Sequence, residues 1–133
     1  MAGLDTNVLV RWLLVDDETQ TQRAKKVFEA AASRASALFV PSTVALELEW
    51  MLRSRYRLDK TVVLQAFTAL LETRELEFQA EEALERALHA YRMGNADFAD
   101  CLHAGLCAAA SRAPLLTFDE NAARVAGIEL IPD

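Results

Sequence analysis

Little in this sequence makes sharp turns or covalent staples. Four Gly and three Pro in 133 residues exclude collagen-like and low-complexity architectures. Two cysteines, Cys101 and Cys107, are too few for a disulfide framework, and both fall in one helical stretch. A reducing, cytoplasmic address is expected from that usage. No apolar run approaches the roughly 18 residues of a membrane span, so no membrane segment is expected. The start, Met1-Ala2-Gly3-Leu4-Asp5, has no basic region and meets an acid at once, which is unlike a signal peptide. Basic charge is also short: 14 Lys/Arg against 20 Asp/Glu leave a net charge of −6. Taken alone, that balance argues against a nucleic-acid partner, because phosphate binding favours basic surfaces. What is plentiful is apolar. A 53% hydrophobic content excludes disorder, and the length fits one domain over 1–133.

Short apolar runs alternate with helical periods, the pattern of an α/β domain with a mostly parallel sheet. Strands are expected at Ala2–Leu4, Ala37–Val40, Leu76–Phe78, Leu115–Phe118 and Ile128–Ile131. Helices are expected near Val8–Leu14, Glu18–Ser33, Thr43–Ser54, Asp59–Thr73, Glu81–Met93, Asp97–Ser111 and Glu120–Val125. Pro41-Ser42 stops the second strand and offers Ser42 as an N-cap. In a parallel sheet ligands bind beyond the carboxyl ends of the strands, so the residues just after each strand matter most.

Acids stand at those places. Asp5 follows the first strand and Asp119 follows the fourth, although each also suits an N-cap. At about 100° per residue, Glu47 falls inside the apolar arc of its helix, among Val44, Leu48, Trp50 and Met51. Glu49 falls on the other side with Arg53, four residues on, as a solvated pair. Asp97 suits the N-cap of the next-to-last helix, and Asp100 shares a face with Ala104, Cys107 and Ser111, pointing inward. Clustered carboxylates repel unless a cation sits among them. Oxygen ligands without His or Cys select Mg²⁺ or Mn²⁺, one or two ions, and a two-metal clamp suits in-line phosphoryl displacement. That is nuclease chemistry.

The motifs Gly3-Leu4-Asp5-Thr6-Asn7-Val8-Leu9, Glu47-Leu48-Glu49-Trp50-Met51-Leu52-Arg53, Asp97-Phe98-Ala99-Asp100-Cys101-Leu102-His103-Ala104 and Thr117-Phe118-Asp119 together resemble PIN-domain ribonucleases. The nearest likeness is to the VapC toxins of bacterial toxin–antitoxin systems. The resemblance implies a three-layer α/β/α sandwich around a five-stranded, mostly parallel sheet. It implies that Asp5, Glu47, Asp100 and Asp119 are catalytic and bind Mg²⁺ or Mn²⁺, with Asp97 as an extra acid. Thr6 and Asn7 match positions that orient the first acid, and Thr117 matches the hydroxyl beside the fourth. The resemblance further implies an RNA substrate, products with 5′-phosphate and 3′-hydroxyl ends, a homodimer, and a cognate VapB-like antitoxin whose tail fills the acidic groove.

For substrate grip the basic run Arg53, Arg55, Arg57 and Lys60, together with Arg11, is the candidate RNA contact. A solvated helix end carrying cations accounts for the run equally well. Other chemistries fit less. Cys101 and His103 lie about 200° apart on a helix, and His103 with Cys107 lacks two further zinc ligands. A metal-independent ribonuclease needs a converging acid and base, for which His89 and His103 give no signal. A receiver-like phosphoacceptor module would use Asp16-Asp17, but that pair follows a helix, and the only lysines are Lys25, Lys26 and Lys60. An inactive PIN-like binding module remains an alternative from another class. Removing four quartet acids from a net −6 leaves −2, so the acidic balance reports a metal pocket more than it opposes RNA.

Overall fold

The computed structural model describes residues 2–133. The chain divides into two compact units, the first ending at Gln79 and the second running Ala80–Asp133. In the first, β1 (Ala2–Gly3), β2 (Leu38–Val40) and β3 (Leu76–Phe78) form a parallel three-stranded ladder in that order. Leu38 pairs with both Ala2 and Leu76, which fixes the register. The connections are helical: α1 (Thr6–Leu13) and α2 (Glu18–Ser33) after β1, then α3 (Ser42–Trp50), a π-helical turn (Met51–Arg55) and α4 (Lys60–Leu71) after β2. Such crossovers are what a parallel pair requires.

Each helix start has a local cause. Asp17 accepts from the Gln20 N–H and Asp59 from the Val62 N–H, the usual side-chain caps. The start of α3 departs from expectation. Pro41 holds the cap position and Ser42 is already helical, its N–H donating to Oε1 of Gln79 at 2.9 Å. Proline has no N–H and a preset φ, so it fits the half-extended cap residue, and a glutamine from the end of β3 satisfies the donor. Val40, Leu48, Leu52, Val63, Phe67 and Leu70 are fully buried and form the centre of this unit. The rings of Trp12 and Phe28 stack at 4.0 Å, joining α1 to α2.

The second unit contains α5 (Glu81–Met93), α6 (Phe98–Ala109), β4 (Leu115–Thr117), a 3-10 turn (Ala122–Arg124) and β5 (Ile128–Leu130). β4 and β5 are parallel, with Leu115 opposite Ile128. Gly105 lets α6 approach α5 closely: a Cβ there would stand 2.6 Å from the Ala83 carbonyl oxygen. Tyr91 and Phe98 meet edge to face at 5.5 Å. Gly127, at φ +90°, makes the turn into β5 that a residue with a Cβ would strain.

The mixed α/β class with parallel strands is therefore present. All five expected strands form, hydrogen-bonded as ladders of three and two. The expected last helix, Glu120–Val125, is only a 3-10 turn, in keeping with the short distance before β5. No helix among the described residues is long and apolar enough to cross a membrane.

Candidate active site

In the first unit two of the expected acids are joined through one residue. Asp5 caps α1 and its Oδ1 accepts the Thr6 N–H at 2.7 Å. The Thr6 hydroxyl donates to Oε1 of Glu47 on α3. Thr6 is itself 1% exposed, so its two donors are fixed by the core, while both carboxylates are exposed. Asn7 is exposed and lines a groove of about 360 Å³ with Val8, Arg11 and the α2 residues Gln20, Arg23, Ala24 and Val27.

The burial expected along α3 is inverted. Glu49, not Glu47, faces inward; it is 3% exposed and its Oε2 accepts from Arg53 Nε at 2.8 Å. The buried stripe is Ala45, Leu48, Glu49 and Leu52. Apolar residues ring this helix on nearly every side, so the wheel had no clear polar face to orient it. The small Ala45, which adds little hydrophobicity, marks the buried side. Glu47 is left at the open side, where the start of α1 meets it.

The second unit holds the other acids. Asp97 occupies the N-cap position of α6 but makes no side-chain capping bond. Asp100, one turn on, is half-buried, and its carboxyl is pushed above its ordinary range. Burial is the main cause, the charges of Asp97 and Asp119 add to it, and His103 opposes it. Asp119 is exposed and its Oδ1 accepts the N–H groups of Asn121 and Ala122 at 2.8 and 3.2 Å. The Asp119 N–H in turn donates to the Thr117 hydroxyl at 3.0 Å. Thr117 thus holds the turn that presents the fourth acid.

The basic residues separate into two groups. Arg11 is bound within the fold: its guanidinium meets Asp16 at 2.9 Å, Gln20 at 2.6 Å and the Tyr56 hydroxyl at 3.1 Å. Tyr56 also donates to Asp16 at 3.2 Å, closing a three-residue knot. Asp16 is thereby occupied and Asp17 is a helix cap, which removes the pair from phosphoacceptor duty. The acid five residues after Arg11 was the sequence signal for this knot. Arg53 is committed to Glu49. Arg55 and Arg57 are exposed, and Lys60 is half-buried at the start of α4.

Among the described residues no three His, Cys, Asp or Glu side chains lie close enough to hold a metal together. The donor chemistry nevertheless suits a hard divalent cation, since every acid in the four motifs offers carboxylate oxygen alone. The repulsion felt by Asp100 is also the kind that a cation relieves.

Comparison with known proteins follows the same residues. The profile of the PIN domain matches residues 3–128. The chain belongs to the PIN domain family. All four acid-bearing motifs lie inside the matched span of this PIN domain protein. It is also 26% identical over 102 residues, 77% of this chain and 75% of the other, to a protein named VapC ribonuclease from Aquifex aeolicus (strain VF5).

Proposed function

We propose that this PIN domain protein is a Mg²⁺- or Mn²⁺-dependent endoribonuclease and the toxin of a toxin–antitoxin pair. Asp5, Glu47, Asp100 and Asp119 are its metal-holding, catalytic acids, with Asp97 an additional one. The observation that carries the reading is the family match over 3–128, which takes in every acid motif, alongside a relative named as a ribonuclease. In this reading the chain is one domain over 1–133, a three-layer α/β/α sandwich whose ladders belong to a five-stranded sheet. It works as a cytoplasmic homodimer restrained by a VapB-like antitoxin.

One or two such ions, when bound, supply the charge to activate water and to stabilise the leaving oxygen of an in-line phosphoryl displacement. The chain's own residues do the rest. Thr6 holds Asp5 through its N–H and Glu47 through its hydroxyl. Thr117 holds the turn that carries Asp119. Arg55 and Arg57, both exposed, meet RNA phosphates, while Arg11 and Arg53 serve the fold. The products carry 5′-phosphate and 3′-hydroxyl ends.

The test is incubation with total RNA in Mg²⁺ or Mn²⁺ and in EDTA, followed by mapping of the cut ends. Cleavage confined to the metal lanes and abolished by Asp5→Asn is expected. Cleavage that survives EDTA, or full activity in Asp5→Asn, refutes the metal-nuclease reading.

A further inference from the structure

Arg57 stands where a helix end ordinarily takes glycine. It follows the π turn with φ +54°, in the left-handed region that a side chain disfavours. The other non-glycine residues at positive φ among those described, Ala35, Ala80 and Ser111, are small. Arg57 alone is long and charged, and it is exposed. A cation near a helix end complements the dipole, yet any residue of the last turn does so without a positive φ. Ending the helix therefore does not by itself call for arginine at this position.

The residues on either side of Arg57 are fixed. The Tyr56 N–H donates to the Met51 carbonyl at 3.1 Å and the Leu58 N–H to the Leu52 carbonyl at 3.0 Å, so the chain closes around Arg57. Tyr56 is pinned a second time by its hydroxyl, which accepts from Arg11 at 3.1 Å and donates to Asp16 at 3.2 Å. Arg11 is in turn anchored to α2. Its side chain donates to Gln20 at 2.6 Å, and its carbonyl accepts from the hydroxyl of the buried Thr21 at 3.2 Å. The phenol thus ties the end of the π turn to α1, which begins just after Asp5. The π turn itself continues α3, which carries Glu47. A phenylalanine ring would fill the same space; what the hydroxyl adds is a fixed backbone for the residue that follows. A guanidinium on a fixed backbone gives up less freedom when an anion binds than one on a frayed helix end.

We infer that Tyr56 is a positioning residue, through which Arg11 and Asp16 hold Arg57 in its left-handed conformation as a preset contact for a substrate phosphate. This rests on the ribonuclease reading. The test follows cleavage of one end-labelled oligoribonucleotide by the full chain, with kcat and KM separated, alongside thermal melts. Arg57→Gly should raise Tm by about 2–4 °C, because the positive φ no longer opposes a Cβ. The same variant should raise KM about tenfold with kcat unchanged, since it removes a contact made equally before and during the reaction. Tyr56→Phe should raise KM about threefold, again with kcat unchanged. When Tyr56→Phe is added to Arg57→Gly, KM should stay at the value of Arg57→Gly alone, because the phenol acts through Arg57. An unchanged KM in Arg57→Gly, or a Tyr56→Phe effect that persists in full on that background, overturns the positioning inference and leaves the ribonuclease reading standing. A lower Tm in Arg57→Gly assigns the arginine to the fold and also overturns it. Failure of the unsubstituted chain to cleave RNA in Mg²⁺ or Mn²⁺ overturns both.

Discussion

The hydroxyl of Thr6 reaches Oε1 of Glu47, 41 residues further along the chain. Its N–H is bonded at the same time to Asp5. A buried threonine therefore sets the orientation of two exposed carboxylates, one at the start of α1 and one on α3. Exposed acids alone would sample many rotamers; tied to a rigid residue, each presents its second oxygen in a fixed direction.

In the metal-nuclease reading Thr6 is a positioning residue for these two acids. Thr6→Val keeps the shape and the N–H but loses the hydroxyl, so metal affinity and cleavage rate should fall about 10- to 100-fold. Thr6→Ser should restore most of both. Calorimetric titration with Mn²⁺ reads the affinity separately from RNA cleavage. Equal metal binding by the valine variant would show that the hydroxyl serves only the core.

Arg53 and Arg55 belong to the basic run that is the candidate RNA contact, so charge reversal at an exposed member of it should weaken RNA binding and spare the fold. The buried Glu49 changes that for Arg53, because Arg53→Glu would set a second carboxylate against a carboxylate only 3% exposed. Removing one partner of a fully buried pair costs about 3–5 kcal/mol. Arg53 is itself 49% exposed, so screening reduces the loss to about 1–3 kcal/mol. Denaturant melts should show this loss for Arg53→Glu and almost none for Arg55→Glu with Arg57→Glu. The second pair should instead weaken RNA binding with the melt unchanged, since both side chains are exposed.

The contrast between these arginines shows what could be read in advance. Helices with one apolar stripe, or with strong caps, declared their bounds: α2 at Glu18–Ser33 and α5 at Glu81–Met93 fall where the residue pattern puts them. β3 at Leu76–Phe78 does too. The places of Asp5 and Asp119 were legible because each follows a strand and accepts from the backbone N–H groups of the turn or helix after it. The orientation of α3 was not, because its apolar residues surround it and its last turn is π-wound, which shifts the phase of everything after Trp50. Long-range partners were also invisible: Gln79 at the start of α3, Tyr56 on Arg11, and Thr6 on Glu47. Each depends on where separate elements meet, which no local period encodes.

Gly105 tests the packing of the second unit. Alanine favours a helix by about 1 kcal/mol over glycine, so propensity alone would make Gly105→Ala stabilising. The added Cβ, however, would lie 2.6 Å from the backbone oxygen of Ala83, which has no rotamer to move. Overpacking of this kind costs about 1–3 kcal/mol, and the net should be a lower Tm. An unchanged or raised Tm in a thermal melt would mean that α5 and α6 separate without penalty.

Asp100 gives the pH dependence. Burial and the charges of Asp97 and Asp119 raise its carboxyl above the ordinary 3.8, so the folded chain holds that proton to higher pH than the unfolded chain does. Where the folded state binds more protons, stability falls as pH rises. For this group the fall begins near the unfolded value of 3.8, continues through the raised folded value, and then levels off. In EDTA, Asp100→Asn should therefore match the wild-type Tm at the acid end of that window and exceed it at pH 7. A gain of about 2 °C corresponds to roughly 0.5 kcal/mol in a chain of this size. In the metal-nuclease reading, added Mn²⁺ should then raise the wild-type Tm more than that of the variant, because a bound cation offsets a repulsion that asparagine lacks. A wild-type Tm at pH 7 equal to that of Asp100→Asn in EDTA would mean that the three acids of the second unit carry no electrostatic strain.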